Sequence, residues 1–116
     1  MADAAYAGLL NGGWRDLSYE YFRDGVLVHW MVKGGEGEPT VAILKYEPGA
    51  SVPLHRHAGL ETIMVLDGAQ SDEHGKYAAG ALVLNAAGTE HSVWSKDGCV
   101  VLIQWDLPVV ILGRGK

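Results

Sequence analysis

Short apolar runs of period two, each ended by a glycine-bearing turn, constrain this chain more than any other feature. "YEYF" runs into Asp24-Gly25 and then "VLVHWMV"; "TVAILKYE" stops at Pro48-Gly49; "ETIMVL" stops at Asp67-Gly68; "ALVLN" follows Gly80; "HSVW" precedes Asp97-Gly98 and "CVVLIQWDL". Alternation puts successive side chains on opposite faces of an extended strand, and Asp-Gly supplies the positive φ of a tight hairpin. An all-β domain of six to eight short strands follows. Several runs are apolar on both faces, as two packed sheets or a small barrel require. Only "ADAAYAGLLNG", Ala2 to Gly12, has helical character, and its length suits an arm or a clip on a neighbouring subunit.

The 116 residues match one domain, with the arm over 1–13 and a single domain over 14–116. A formal net charge of -5 lacks the basic excess that phosphates attract, so neither nucleic acid nor an anionic membrane is an expected partner. The start "MADAAYAGLLNGG" has no basic segment followed by a long apolar run, and the expected location is cytoplasmic. Cys99 is the sole cysteine, so no intrachain disulfide forms, and within "CVVLIQW" it reads as a buried strand residue.

The chemistry concentrates in "PGASVPLHRHAGLETIMVLDG", Pro48 to Gly68. On a strand, His55 and His57 project together while Arg56 points away, and Glu61, after the turn Ala58-Gly59-Leu60, can begin the next strand and swing back toward them. His91 follows the Gly88-Thr89-Glu90 turn, where strand pairing could set it beside the other three. Three imidazoles and a carboxylate suit Zn, Fe(II), Mn, Ni or Cu, and four donors on one side of a six-coordinate ion leave two positions open. A His-x-His pair alone is common on strands without any metal, so the surrounding spacing has to decide.

That spacing resembles the cupin superfamily. Gly49, His55, His57, Glu61 and Gly68 fit every fixed position of the first cupin motif; Gly80, Gly88 and His91 fit the second, in which Ala86 and Ser95 replace its proline and asparagine. The resemblance spans about residues 14–107. It implies a jelly-roll fold, the double-stranded β-helix or small β-barrel, around one divalent transition metal ion held by His55, His57, Glu61 and His91. Fe(II) and Zn are the first candidates, with Mn, Ni and Cu also compatible. More narrowly, "SDEHGKYAAG" followed by "GTEHSVWSKDGCVVLIQW" is similar to the cupin domain of ChrR-type anti-sigma factors and of related small single-domain dioxygenases. With one cysteine and about a dozen residues before the barrel, the chain is expected to lack those regulators' separate zinc-binding, sigma-factor-binding domain.

Two functions from different classes follow from the resemblance. One is a non-haem metal-dependent dioxygenase, an oxidoreductase acting on a small oxygen-bearing molecule such as a diketone or hydroxyaryl ketone. Its Glu61 is a fourth ligand or a catalytic base, and Ile63, Val65, Val83, Val93 and Ile103 line its pocket. The other is a stand-alone metal- or ligand-sensing module with a regulatory role. Tyr46 and Trp105 are candidate pocket residues, His29 a hydrogen-bonded core or rim histidine, His74 a solvated turn residue and Arg56 a surface ion-pair partner. Met64, Leu66, Val100 and Leu102 point away from the pocket face, and with the tail "PVVILG" they predict a homodimer.

Overall fold

The computed structural model describes residues 4–113. Ten strands follow in order: β1 (Glu20–Arg23), β2 (Val26–Val32), β3 (Thr40–Tyr46), β4 (Ala50–Arg56), β5 (Glu61–Asp72), β6 (Gly75–Ala78), β7 (Leu82–Asn85), β8 (Glu90–Ser95), β9 (Cys99–Trp105) and β10 (Val110–Ile111). They form two antiparallel layers, β1-β2-β3-β9-β5-β7 and β6-β5-β8-β4-β10, that share β5 and curl into the expected jelly-roll half-barrel. No helix among the described residues is long and apolar enough to cross a membrane.

The shared strand departs from the sequence expectation. β5 does not stop at Asp67-Gly68 but runs on to Asp72, with a register shift between Val65 and Asp67 where it leaves one sheet for the other. Gly68 makes the bend possible: its φ is +71°, and a Cβ there would overlap the Gly98 carbonyl. The segment after the bend then closes a hairpin with β6, a strand that the turn-rich composition of Ser71 to Gly80 concealed.

Inward side chains of both layers, among them Val28, Leu44, Tyr46, Val65, Val93 and Val101, make the main core. A second cluster lies on the outer face of the first layer, where Ile43, Leu66 and Val100 are buried beneath Trp14, with Leu9, Met31, Met64 and Leu102 packed around them. The arm that covers it is not an α-helix. Gly8 and Gly12 take φ of +67° and +89°, which end any helix before it propagates, and leave two 3-10 turns, Leu9–Asn11 and Gly13–Asp16; residues 2–3 of the helical expectation lie outside the described residues. Polar ties complete the clasp: Tyr19 donates to the Trp14 carbonyl (2.7 Å), His29 Nδ1 donates to the Ser18 carbonyl (2.8 Å), and Tyr6 donates to His29 Nε2 (3.3 Å). His29 is therefore a hydrogen-bonded rim residue on the face opposite the candidate site. The apolar face that the sequence assigned to a second subunit is in large part covered by the chain's own arm.

Candidate metal centre

Local folding delivers the four polar residues to one end of the barrel. His55, the penultimate residue of β4, lies directly opposite His91 of β8, as Cα partners. A register shift between Val52 and His55 sets Pro53 and Leu54 out of step with the ladder, and the Pro53 carbonyl accepts from His55 Nδ1 at 2.8 Å. His57, one residue past the strand, is tied to the β7–β8 turn: its N–H donates to Thr89 O (2.9 Å) and its carbonyl accepts from Gly88 N–H (2.7 Å). Glu61 opens β5, paired with Trp105 on one side and Asn85 on the other.

The three imidazoles meet with ring centroids 4.6–5.2 Å apart, each histidine buried, and their candidate ligand atoms all lie within 4.8 Å of one another. Each Nδ1 faces an acceptor that has no proton to give: the Pro53 carbonyl for His55, the Thr89 carbonyl at 3.0 Å for His57, and Asp72 Oδ2 at 3.0 Å for His91. The proton of each neutral ring must then sit on Nδ1, and every Nε2 carries a bare lone pair. Nε2 of His57 and of His91 are buried with no hydrogen-bond partner. Two buried lone pairs without a donor are costly unless a cation fills the space between them.

Glu61 sharpens this requirement. Its Oε1 lies 3.2 Å from His57 Nε2, an ion pair when the ring is protonated and a close contact of two acceptors when it is neutral, and accepts from Asn85 Nδ2 at 3.0 Å. Two donors that each sit ~2.1 Å from one ion are separated by ~3.0–3.4 Å, so the contact fits a shared cation. Burial acts to lower the His57 pKa, but the Glu61 carboxylate raises it on balance; for His55, burial prevails and the pKa falls. The buried His55, His57 and His91 could hold a metal ion, with Glu61 beside them.

Behind the ligand atoms, acceptors fix the rings. Asp72 Oδ2 orients His91, while its Oδ1 accepts from the His74 and Gly75 N–H groups (2.8 and 3.1 Å), so the β5–β6 turn holds the carboxylate in place. Burial raises the Asp72 pKa, and these donors together with His91 bring it below the usual carboxylate value. Asp72, Asn85 and Thr89 escaped the sequence reading. Asp72 had a local signal, an Asx turn in "SDEHG", whereas Asn85 reaches Glu61 only through β5–β7 pairing. The two motif departures are accommodated: the Ala86 carbonyl accepts from Thr89 N–H and Oγ1, closing the turn without proline, and buried Ser95 donates to the Ala69 carbonyl (2.7 Å).

His55, His91 and Glu61 face a cavity of about 440 Å³ walled by Leu44, Val52, Ile63, Val93 and Ile103. Tyr46 and Trp105 line it as expected, whereas Val65 and Val83 belong to the core beside it. His74 and Arg56 are exposed, and Arg56 forms no ion pair among the described residues. Cys99 is buried, and burial pushes its thiol up.

Residues 13–106 match the family model described as the ChrR Cupin-like domain. The chain belongs to that family. It is 32% identical over 93 residues to the anti-sigma-E factor ChrR of Cereibacter sphaeroides, covering 71% of this chain and 44% of that protein. It spans less than half the length of the curated relatives it matches. Among solved structures, the Rhodobacter sphaeroides SigE complex with anti-sigma ChrR is similar at TM-score 0.68 and 29% identity, over 78% of this chain and 49% of that one. An acetylacetone dioxygenase from Acinetobacter johnsonii shares the fold at TM-score 0.74 and 19% identity, over 84% and 74%.

Proposed function

We propose that this ChrR-like cupin domain is a metal-dependent dioxygenase for a small oxygen-bearing organic molecule. The observation that carries the reading is the 440 Å³ apolar cavity opening onto His55, His91 and Glu61, a volume suited to a substrate rather than to water alone. When bound, a redox-active ion such as Fe(II) supplies the capacity to bring an oxygen-chelating substrate and dioxygen together. The chain supplies the rest. His55, His57 and His91 hold the ion through Nε2; Glu61 acts as the fourth donor and as the base for an enolisable proton, oriented by Asn85. Leu44, Ile63 and Ile103 exclude water from the face where the substrate enolate lies.

Anaerobic loading with Fe(II), then oxygen-uptake measurement with a panel of β-diketones and hydroxyaryl ketones, tests this. Substrate-dependent uptake is expected, and its absence with Fe(II) fully bound would reject the oxygenase. Family membership supports a second reading, a metal-dependent regulatory module with a protein partner, for which stoichiometric zinc in native protein and no oxygen uptake are the expected signs. In either reading a homodimer would bury apolar residues left open by the arm, such as Leu82 and Leu84, which are 56% and 63% exposed. Sedimentation at micromolar concentration reads this directly, and a monomer rejects it.

A further inference from the structure

The cavity has a second polar region, away from the histidines. A register shift in β1 between Tyr21 and Arg23 breaks the alternation, and consecutive Phe22 and Arg23 both line the cavity. Phe22, Trp30 and Trp105 cluster along the same wall with centroids 5.8–6.4 Å apart, Trp30 edge-to-face with each of the other two rings. Two hydrogen-bond donors in this wall have no acceptor: Arg23 Nε and Trp30 Nε1 are both buried and unpartnered. Neither group can act as anything but a donor, so each calls for an acceptor from outside the protein. Arg23 also borders an outer groove with Asp24 and Glu47, yet it forms no ion pair among the described residues. Lys33, whose Nζ lies 4.8 Å over the Trp30 ring, adds a second cation to the cavity wall, against the single carboxylate of Glu61.

We infer that the substrate is an organic anion: a carboxylate with an apolar, aryl-sized body, bound by Arg23 and the Trp30 indole N–H, with its reactive end toward the histidines. The strand register sets the two ends apart. Arg23 lies in the row of Val26, Tyr46 and Cys99, whereas Glu61 lies in the row of Trp105 and Thr40. The six residue steps along β3 from Thr40 to Tyr46 span about 20 Å of backbone, which the arginine and imidazole side chains shorten from both ends. The carboxylate therefore sits on Arg23 and not on the metal, and Leu44 and Ile63 contact the body between them. Lys33 raises the local concentration of anions in a protein whose net charge of -5 would otherwise repel them.

This inference rests on the cavity being the substrate pocket of the proposed metal site, and calorimetric titration separates the two. The probes are 3-phenylpropionate and its primary amide, which share a body and differ in charge, each titrated into zinc-loaded and chelator-stripped protein at low ionic strength. The acid is expected to bind at least about tenfold more tightly than the amide in both forms, as charge-assisted hydrogen bonds to a guanidinium predict. Arg23→Gln should bring the ratio close to one with amide affinity kept, and Trp30→Phe should weaken the acid several-fold. Equal binding of acid and amide, no saturable binding of the acid, or an Arg23→Gln protein that keeps the preference overturns the assignment. A preference that disappears only on stripping would put the carboxylate on the metal, overturning the Arg23 anchor but not the metal site. Protein that binds no metal yet keeps the preference would remove the metal reading alone.

Discussion

Replacing Asp72 by asparagine isolates the contribution of a residue that touches no metal. Asp72 Oδ2 holds the His91 Nδ1 proton at 3.0 Å in a buried contact, while Oδ1 accepts two backbone N–H groups of the β5–β6 turn at 2.8 and 3.1 Å. An asparagine must keep its carbonyl oxygen on those two donors, which turns its NH₂ toward His91 Nδ1–H. Two donors then face each other, and relief comes by moving the His91 proton to Nε2, the atom needed for ligation. Loss of such a supporting carboxylate costs about 10–100-fold in metal affinity, about 1.4–2.7 kcal/mol. Competition for Zn(II) against a chromophoric chelator at pH 7.5 reads the dissociation constant, and the far-UV spectrum checks the fold. Asp72→Asn should fall between wild type and His91→Ala, with the turn intact. A dissociation constant within twofold of wild type in a folded Asp72→Asn protein would refute the argument that Asp72 sets the His91 tautomer.

Three further outcomes are expected. His55→Ala, His57→Ala and His91→Ala should each lose the ion yet keep the far-UV spectrum, because the core is built of apolar side chains and not around the metal; metal analysis beside circular dichroism checks both. Proton and ion compete for His57 Nε2, and because the Glu61 carboxylate raises the His57 pKa above its ordinary value, affinity should begin to fall at a higher pH than for an ordinary histidine and approach about tenfold loss per unit once the ring is mostly protonated, whereas His55, with a lowered pKa, competes only at lower pH. A flat profile from pH 8 to 6 in the same chelator assay contradicts this. Gly68→Ala should destabilise the fold by about 2 kcal/mol or more in urea titration, since alanine meets both the positive φ and the Gly98 carbonyl, while Gly80→Ala, with open space around its Cβ, should cost less.

The all-β class and the histidine cluster were legible in the sequence because both are local. Period-two alternation and Asp-Gly turns act over a few residues, and His55, His57 and Glu61 are brought together by one strand end and one short turn. His91 could be nominated by motif spacing, but its place opposite His55 came from β4–β8 pairing between segments 36 residues apart. What the tertiary structure alone decided lies at longer range. Whether "ETIMVL" ends at Gly68 depends on how closely the Gly98 turn approaches, and a strand's own composition carries no trace of that approach. Whether the Ile43, Leu66 and Val100 face needs a partner subunit depends on where Trp14 lands, and a glycine-broken arm has no periodicity from which to read its docking. The acceptors that fix the three imidazoles, the Pro53 and Thr89 carbonyls and the Asp72 carboxylate, are common groups given meaning by position. Donor identity was written in residue type, but the direction of each lone pair was set only when distant backbone closed around the rings.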